Sequence, residues 1–258
     1  MDASTDEEVR SSGGTGGRGP GTCDTDAEDT LDLRLPEEFL ARYAEVTFAA
    51  PAASGRFGAE GGSDLLDQVA TWAPVSTAAG TFRLVPVRIE RDLPLLGHWM
   101  NDPAVAAFWQ LAGPASVTEG HLRPQMEGDG RSVPCLGVLD GTPMSYWEIY
   151  RADLDPLARH YPARPHDTGV HLLIGGVADR GRGIGSLLLH AVADLVLENR
   201  PACSRVIAEP DLRNTPSVAA FLSAGFRFAA ELDLPDKRAA LMVRDRALRR
   251  VLRPDHVQ

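Results

Sequence analysis

The stretch from Asp167 to Asn199, DTGVHLLIGGVADRGRGIGSLLLHAVADLVLEN, decides how the rest of the chain is read. Thr168 to Ile174 is an apolar run interrupted by one histidine and bounded by Gly169 and the Gly175-Gly176 pair, the pattern of a buried strand. From Ile184 the apolar residues Ile184, Leu188, Ala191 and Leu195 recur at spacings of four, three and four, which is one face of a helix. Between the two lies Arg180-Gly181-Arg182-Gly183-Ile184-Gly185. Three glycines therefore stand at a helix N-terminus, where unbonded backbone N–H groups and the helix dipole favour an anion. Glycine lets the backbone approach that anion closely, and Arg180 and Arg182 add positive charge. The spacing excludes two common anion loops. Gly185 is followed by Ser186 without the lysine of a Walker A loop, and Ser186 also stands where a dinucleotide fingerprint needs its last glycine. An anion loop of another kind and an ordinary glycine-rich strand-to-helix turn both remain open at this point.

Beyond this stretch, 258 residues allow one sizeable core plus an extension. Apolar residues make up 43% and charged residues 24%, as in ordinary globular proteins. The net charge of −10 is uneven. Residues 1–30 hold eight acids against Arg10 and Arg18, so the remainder is only mildly acidic. No basic stripe suggests a nucleic-acid partner. Cys23, Cys135 and Cys203 fit no zinc spacing and no disulfide framework, and Cys135 and Cys203 lie in apolar runs that suit buried thiols. No metal cluster stands out among the seven histidines. No run is long enough to span a bilayer, and the acidic, glycine-rich start is unlike a signal peptide, so a cytoplasmic location is expected.

In chain order, residues 1–30 read as a disordered acidic tail. Residues 31–80 read as an extension with a short helix from Pro36 to Tyr43, a linker over 49–62 and a helix capped by Ser63-Asp64. A main domain is expected from about Thr81 to the end. It opens with a strand over Phe82–Val87, a helix over Ile89–Met100 and a second short helix over Ala104–Gln110. A hairpin follows, with strands Val133–Leu139 and Met144–Tyr150 about Asp140-Gly141. After the central strand, loop and helix come a strand over Arg205–Ala208, a helix over Thr215–Ala224 ended by Gly225, and two strands within Phe226–Val243 turning near Pro235-Asp236. This order makes an α/β protein with a mixed sheet and helices on both faces.

The loop Arg180-x-x-Gly183-x-Gly185 resembles the Gln/Arg-x-x-Gly-x-Gly/Ala pyrophosphate loop of the GNAT acyltransferases, and the element order is similar to that fold. Four further motifs resemble the siderophore-biosynthesis branch of that family. They are Trp99-Met100-Asn101-Asp102-Pro103 with Trp109, Tyr146-x-Glu148-x-Tyr150, Asp167-x-Gly169-x-His171-Leu172-Leu173-Ile174-Gly175, and Glu209-Pro210-Asp211-x-Arg213-Asn214. The resemblance runs from about Phe82 to about Val243.

It implies an acyl-coenzyme A co-substrate, acetyl-coenzyme A above all. Leu173, Ile174, Gly175, Arg180, Gly181, Arg182, Gly183, Ile184, Gly185 and Asn214 would hold it. It implies a small amine or hydroxylamine acceptor contacted by Trp99, Asn101, Trp109, Tyr146, Glu148, Tyr150 and Asp167, with monooxygenases and synthetases of the same pathway as partners. The Asp167 carboxylate and the two hairpin tyrosines also suit purely structural places.

Acyl transfer to an amine needs the nucleophile without its extra proton, and histidine is the usual base near neutrality. By position alone His171, mid-strand on the face of Gly169 and Leu173, suits a satisfied core histidine; the resemblance implies that it is the base, and Glu209, which could also be a rim carboxylate, is then expected to orient it or relay its proton. Backbone N–H groups at Gly175-Gly176 are expected to meet the thioester oxygen. A GNAT enzyme acting on another small-molecule or protein amine, and an inactive acyl-coenzyme A-binding module, stay open as alternatives.

Overall fold

The computed structural model describes residue 66 and residues 68–249. The expected tail, the helix at Pro36, the linker, the Ser63-Asp64 cap and the last nine residues lie outside the described residues.

Eight strands form one sheet: β1 (Val75–Thr77), β2 (Gly80–Pro86), β3 (Ser132–Leu139), β4 (Thr142–Arg151), β5 (Thr168–Ile174), β6 (Arg205–Ala208), β7 (Arg227–Asp233) and β8 (Arg238–Asp245). Five helices accompany them: α1 (Ile89–Met100), α2 (Pro103–Trp109), α3 (Ala115–Met126), α4 (Ile184–Asn199) and α5 (Thr215–Ser223). The strand order is β1-β2-β3-β4-β5-β6-β8-β7, antiparallel everywhere except between β5 and β6. The mixed α/β sheet with helices on both faces is therefore present, and the strand and helix expected in the Asp167–Asn199 stretch have the predicted bounds at Thr168–Ile174 and from Ile184.

Local chemistry explains the turns. Asp140 and Gly141 both have positive φ, 45° and 83°, so the β3–β4 hairpin turns tightly in the sense that matches strand twist. Asp102 caps α2 by accepting the N–H groups of Ala104 and Val105, with Pro103 at the first helical position. Asn214 caps α5 by accepting from Ser217 N–H.

Two faces of the sheet bury different sets. Trp147, Ile149 and Val170 point to α4 and join Leu188, Val192 and Phe221 in the larger core. Alternation sends Tyr146 and Leu173 to the other face, where they pack with Leu96, Trp99, Met100 and Leu122 of α1 and α3. α4 is apolar on more than the single expected stripe, because its second half is enclosed by the sheet and by α5.

Two elements were not foreseen. Strand β1 extends the sheet before Thr81, and Leu66, Val69 and Trp72 are buried in the larger core, 2%, 1% and 8% exposed. Helix α3 occupies a stretch that carried no expected element.

The feature that positions the site is the short pairing of the two parallel strands. β5 and β6 meet only at Thr168↔Val206 and Gly169↔Ile207. Beyond Gly169 the strands separate, because Glu209-Pro210 leads away from β5 and Pro210 carbonyl instead accepts Ala240 N–H on β8. A wedge therefore opens in the middle of the sheet, with His171 on one lip and Glu209 on the other.

Candidate active site

Register decides which side chains meet. β4 and β5 pair Tyr146↔Leu173, Glu148↔His171 and Tyr150↔Gly169, so these six residues share one face. Gly169 is needed there: a Cβ would come within 2.1 Å of the Tyr150 ring, which lies across it. Tyr150 can thus reach β6, where its hydroxyl donates to Glu209 Oε2 at 2.7 Å.

His171 is bound at both ring nitrogens by carboxylates. Nδ1 is 2.8 Å from Glu148 Oε2 and Nε2 is 2.5 Å from Glu209 Oε1. Its side chain keeps 34% of its exposure, while both carboxylates keep 7%. Burial opposes a charged imidazole, but the charges of Glu209 and Glu148 outweigh it and raise the His171 pKa to about 10. Burial likewise opposes charge on Glu209, yet His171, Lys237 and Tyr150 bring its pKa down to about 2. Glu148 is held well below the usual carboxylate range against burial by His121 and His171. The phenols of Tyr146 and Tyr150 are pushed well above theirs, first by burial and then by the neighbouring carboxylate, so both stay donors. At neutral pH the centre is an imidazolium between two carboxylates.

Residues missed in the sequence complete it. His121 and Gln125, one turn apart on α3, reach Glu148 Oε1 at 2.5 and 2.9 Å, and Tyr146 hydroxyl donates to the same oxygen at 2.9 Å. Ser132 in turn donates to Gln125 Oε1 at 2.7 Å. A His-x-x-x-Gln spacing is the one signal in the sequence that would have placed both on one helix face, and it is too common to decide alone.

Beside this centre lies a cavity of about 640 Å³. Its walls are Leu172, Leu173 and Ile174 of β5, the loop Arg180, Gly181, Gly183, Gly185 and Ser186, Asn214 and Ser217 at the start of α5, and Phe108 and Trp109 of α2. Trp109, one of these walls, also stands edge-on to His171, ring centres 6.1 Å apart.

The loop has the form that the glycines suggested. Gly181 and Gly183 have φ of 70° and 78°, a region that side chains strain to adopt. A Cβ at Gly181, Gly183 or Gly185 would meet nothing within 4 Å, so it is open space that faces them. α4 has no side-chain cap, and its first intrahelical bond is Leu187 N–H to Gly183 carbonyl, which leaves the N–H groups of Ile184, Gly185 and Ser186 for a ligand. Arg182 is exposed and has no partner among the described residues. Arg180 has a different place: its guanidinium binds the carbonyls of Ile174 and Gly175 and the Asp102 carboxylate, at 2.8 to 2.9 Å. It clamps the loop to the end of β5 and to the cap of α2.

Three expected contacts with the acceptor are not where expected. Asp167 is 0% exposed and saturated by Arg205, by Tyr161 hydroxyl and by Arg164 N–H, so it anchors the start of β5. The Asn101 amide binds the carbonyls of Gly97 and Gly113 and the Gly113 N–H, closing the end of α1. Trp99 is 5% exposed and packs on Gly175, where a Cβ would come within 2.0 Å of its ring. The Gly175 N–H is also taken, by Met144 carbonyl at 2.9 Å. Hydrogen-bonding direction alternates along a strand, so it is the N–H groups of Leu172 and Ile174 that face the wedge. The carbonyl of Ile174, which Arg180 binds, points the same way.

A family model described as an acetyltransferase (GNAT) domain matches residues 88–234. Lysine N-acyltransferase MbtK of Mycobacterium tuberculosis is 37% identical over 180 residues, 69% of this chain and 85% of that protein. The N(6)-hydroxylysine O-acetyltransferase of Escherichia coli is 36% identical over 155 residues, 60% of this chain and 49% of its own length. Among solved structures, an uncharacterized protein from Bacillus halodurans superposes with TM-score 0.65 at 32% identity, covering 70% of this chain and 94% of its own. The structure of AAC(6')-Ib in complex with Parmomycin and AcetylCoA gives TM-score 0.57 at 26% identity, covering 67% and 97%.

Proposed function

The chain belongs to the GNAT acetyltransferase family and is an acyl-coenzyme A-dependent N-acyltransferase; from that premise we propose that it acylates the terminal amine or N-hydroxyamine of a lysine-, ornithine- or cadaverine-like compound in siderophore biosynthesis. The observation that carries this reading is the triad Glu148–His171–Glu209 at the head of the wedge, against the Trp109 ring that also walls the cavity.

The residues present fit acyl-coenzyme A. The bare helix N-terminus with its glycines and Arg182 suits a pyrophosphate, Asn214 and the wedge N–H groups of Leu172 and Ile174 suit an amide-bearing arm, and Trp109 joins the cavity wall to His171. Acyl-coenzyme A supplies a thioester carbonyl, with an acetyl or other short acyl group.

The carboxylates read an amine. An arriving ammonium competes with Lys237 Nζ, which lies 3.6 Å away, for Glu209 Oε1. A cation that comes closer to that oxygen weakens the hold of His171 on its own proton. The proton leaves by way of the partly exposed His121 side of Glu148, and the neutral imidazole then draws the acceptor's proton through Glu209 Oε1. Glu209 thus touches the acceptor, and His171 stores the proton behind it. Tyr146 and Tyr150 hold the two carboxylates in place, and Trp109 covers the imidazole.

The relatives named above act, by their names, on lysine and on N(6)-hydroxylysine, which is why the acceptor is placed in that class. Purified protein supplied with acetyl-coenzyme A and a panel of lysine, N(6)-hydroxylysine, N(5)-hydroxyornithine and cadaverine is expected to release free thiol with at least one of them and not with an aminoglycoside. Turnover of the aminoglycoside alone would overturn the acceptor class and leave the family chemistry intact.

A further inference from the structure

Of the 26 lysines and arginines in the sequence, all but one are arginines; the exception is Lys237. It sits on the turn from β7 to β8, where Leu234 N–H binds its carbonyl at 2.9 Å. Its Nζ lies 3.6 Å from Glu209 Oε1, the same oxygen that is 2.5 Å from His171 Nε2. The side chain is 24% exposed, so it reaches into the centre from its rim. An arginine at this place would balance charge but would never give up its proton or attack a carbonyl, whereas a lysine amine does both.

We propose that Lys237 is a self-acylation site: when no acceptor is bound, its ε-amine takes the acyl group from acyl-coenzyme A at the Glu209–His171 pair. The geometry repeats what an acceptor amine needs, an ammonium against Glu209 Oε1 with the imidazole directly behind. In the step, the C–N bond of an amide forms and the C–S bond of the thioester breaks. The ammonium gives up two protons: one ends on the departing sulfur as free coenzyme A thiol, and the other passes through Glu209 to solvent. No further reactant is needed. Acylation removes the positive charge beside Glu209 and leaves an amide at the rim of the acceptor site, so the modified enzyme is expected to bind its acceptor less well. An acceptor ammonium competes for the same oxygen and protects Lys237.

The inference rests on the proposed proton path, and the test separates the two. The full-length chain is incubated with acetyl-coenzyme A, with and without an acceptor that it turns over, and examined by intact mass and peptide mapping. One acetyl group on Lys237, suppressed several-fold by the acceptor and by His171→Ala and absent from Lys237→Arg, is the expected result. Because the sequence has a single lysine, peptide mapping need only set aside the α-amine. An unmodified Lys237 in a preparation that acylates its acceptor would overturn this inference alone. Labelling that His171→Ala leaves undiminished would also overturn it, since the centre would then play no part.

Discussion

Asp167 shows how a residue inside a functional motif can serve the fold. Its carboxylate receives two hydrogen bonds from Arg205 at 2.8 Å, and the pair is sealed from solvent. Removing one charge from a buried pair strands the other, at a cost of roughly 3–5 kcal/mol. Asp167→Asn is therefore expected to lower stability by an amount near that range in urea unfolding, with the affinity of the folded variant for acetyl-coenzyme A unchanged. A higher acceptor KM at unaltered stability would instead restore the role in binding. His171 and Glu209 stood out in the sequence through the motifs they share with the family; strand alternation alone suited a core histidine equally well. Asn101 was assigned to the acceptor through the resemblance alone; the approach of Gly113, twelve residues on, is what shows where its amide is spent. Lys237 had no local signal, since its meeting with Glu209 depends on how β8 returns beside β6.

At the scale of elements, the glycine loop and α4 make the strongest claim. The loop's φ values suit glycine, and the space before it is open, so the bare helix N-terminus can be approached closely. Gly183→Asp brings strain at φ 78° and a negative charge to the bare helix N-terminus, so binding of acetyl-coenzyme A is expected to fall below detection by calorimetry in a folded variant. Unchanged affinity would move the pyrophosphate elsewhere. The long periodic elements were legible from pattern alone, including both ends of α1. α3 was not. It carries Gly120 and Pro124, it buries only Thr118 and Leu122, and it therefore lacks the apolar stripe by which a helix is recognised. β1, three residues long, gives no alternation to read. Missing α3 meant missing His121 and Gln125, and with them the two side chains that meet Glu148 Oε1.

At the scale of the whole molecule, one sheet gathers a centre from four separate segments: His121 from α3, Glu148 from β4, His171 from β5 and Glu209 from the end of β6. The separation of β5 from β6 opens the sheet where these meet, and the cavity lies along Leu172, Leu173 and Ile174 of the same β5. The central claim is that this gathered group moves the acceptor's proton, with His171 as its final holder. Steady-state kinetics of His171→Ala, on a free amine and on its N-hydroxylated counterpart, tests it most directly. Turnover is expected to fall by roughly two to four orders of magnitude, the usual worth of a general base. The loss should be larger for the free amine, which has more proton to lose, and coenzyme affinity should be unchanged. Glu209→Gln should lose less, and the double variant less than the product of the two, because both lie on one path. Near-normal turnover of a folded His171→Ala enzyme would contradict the account and make the imidazole a structural link between two carboxylates.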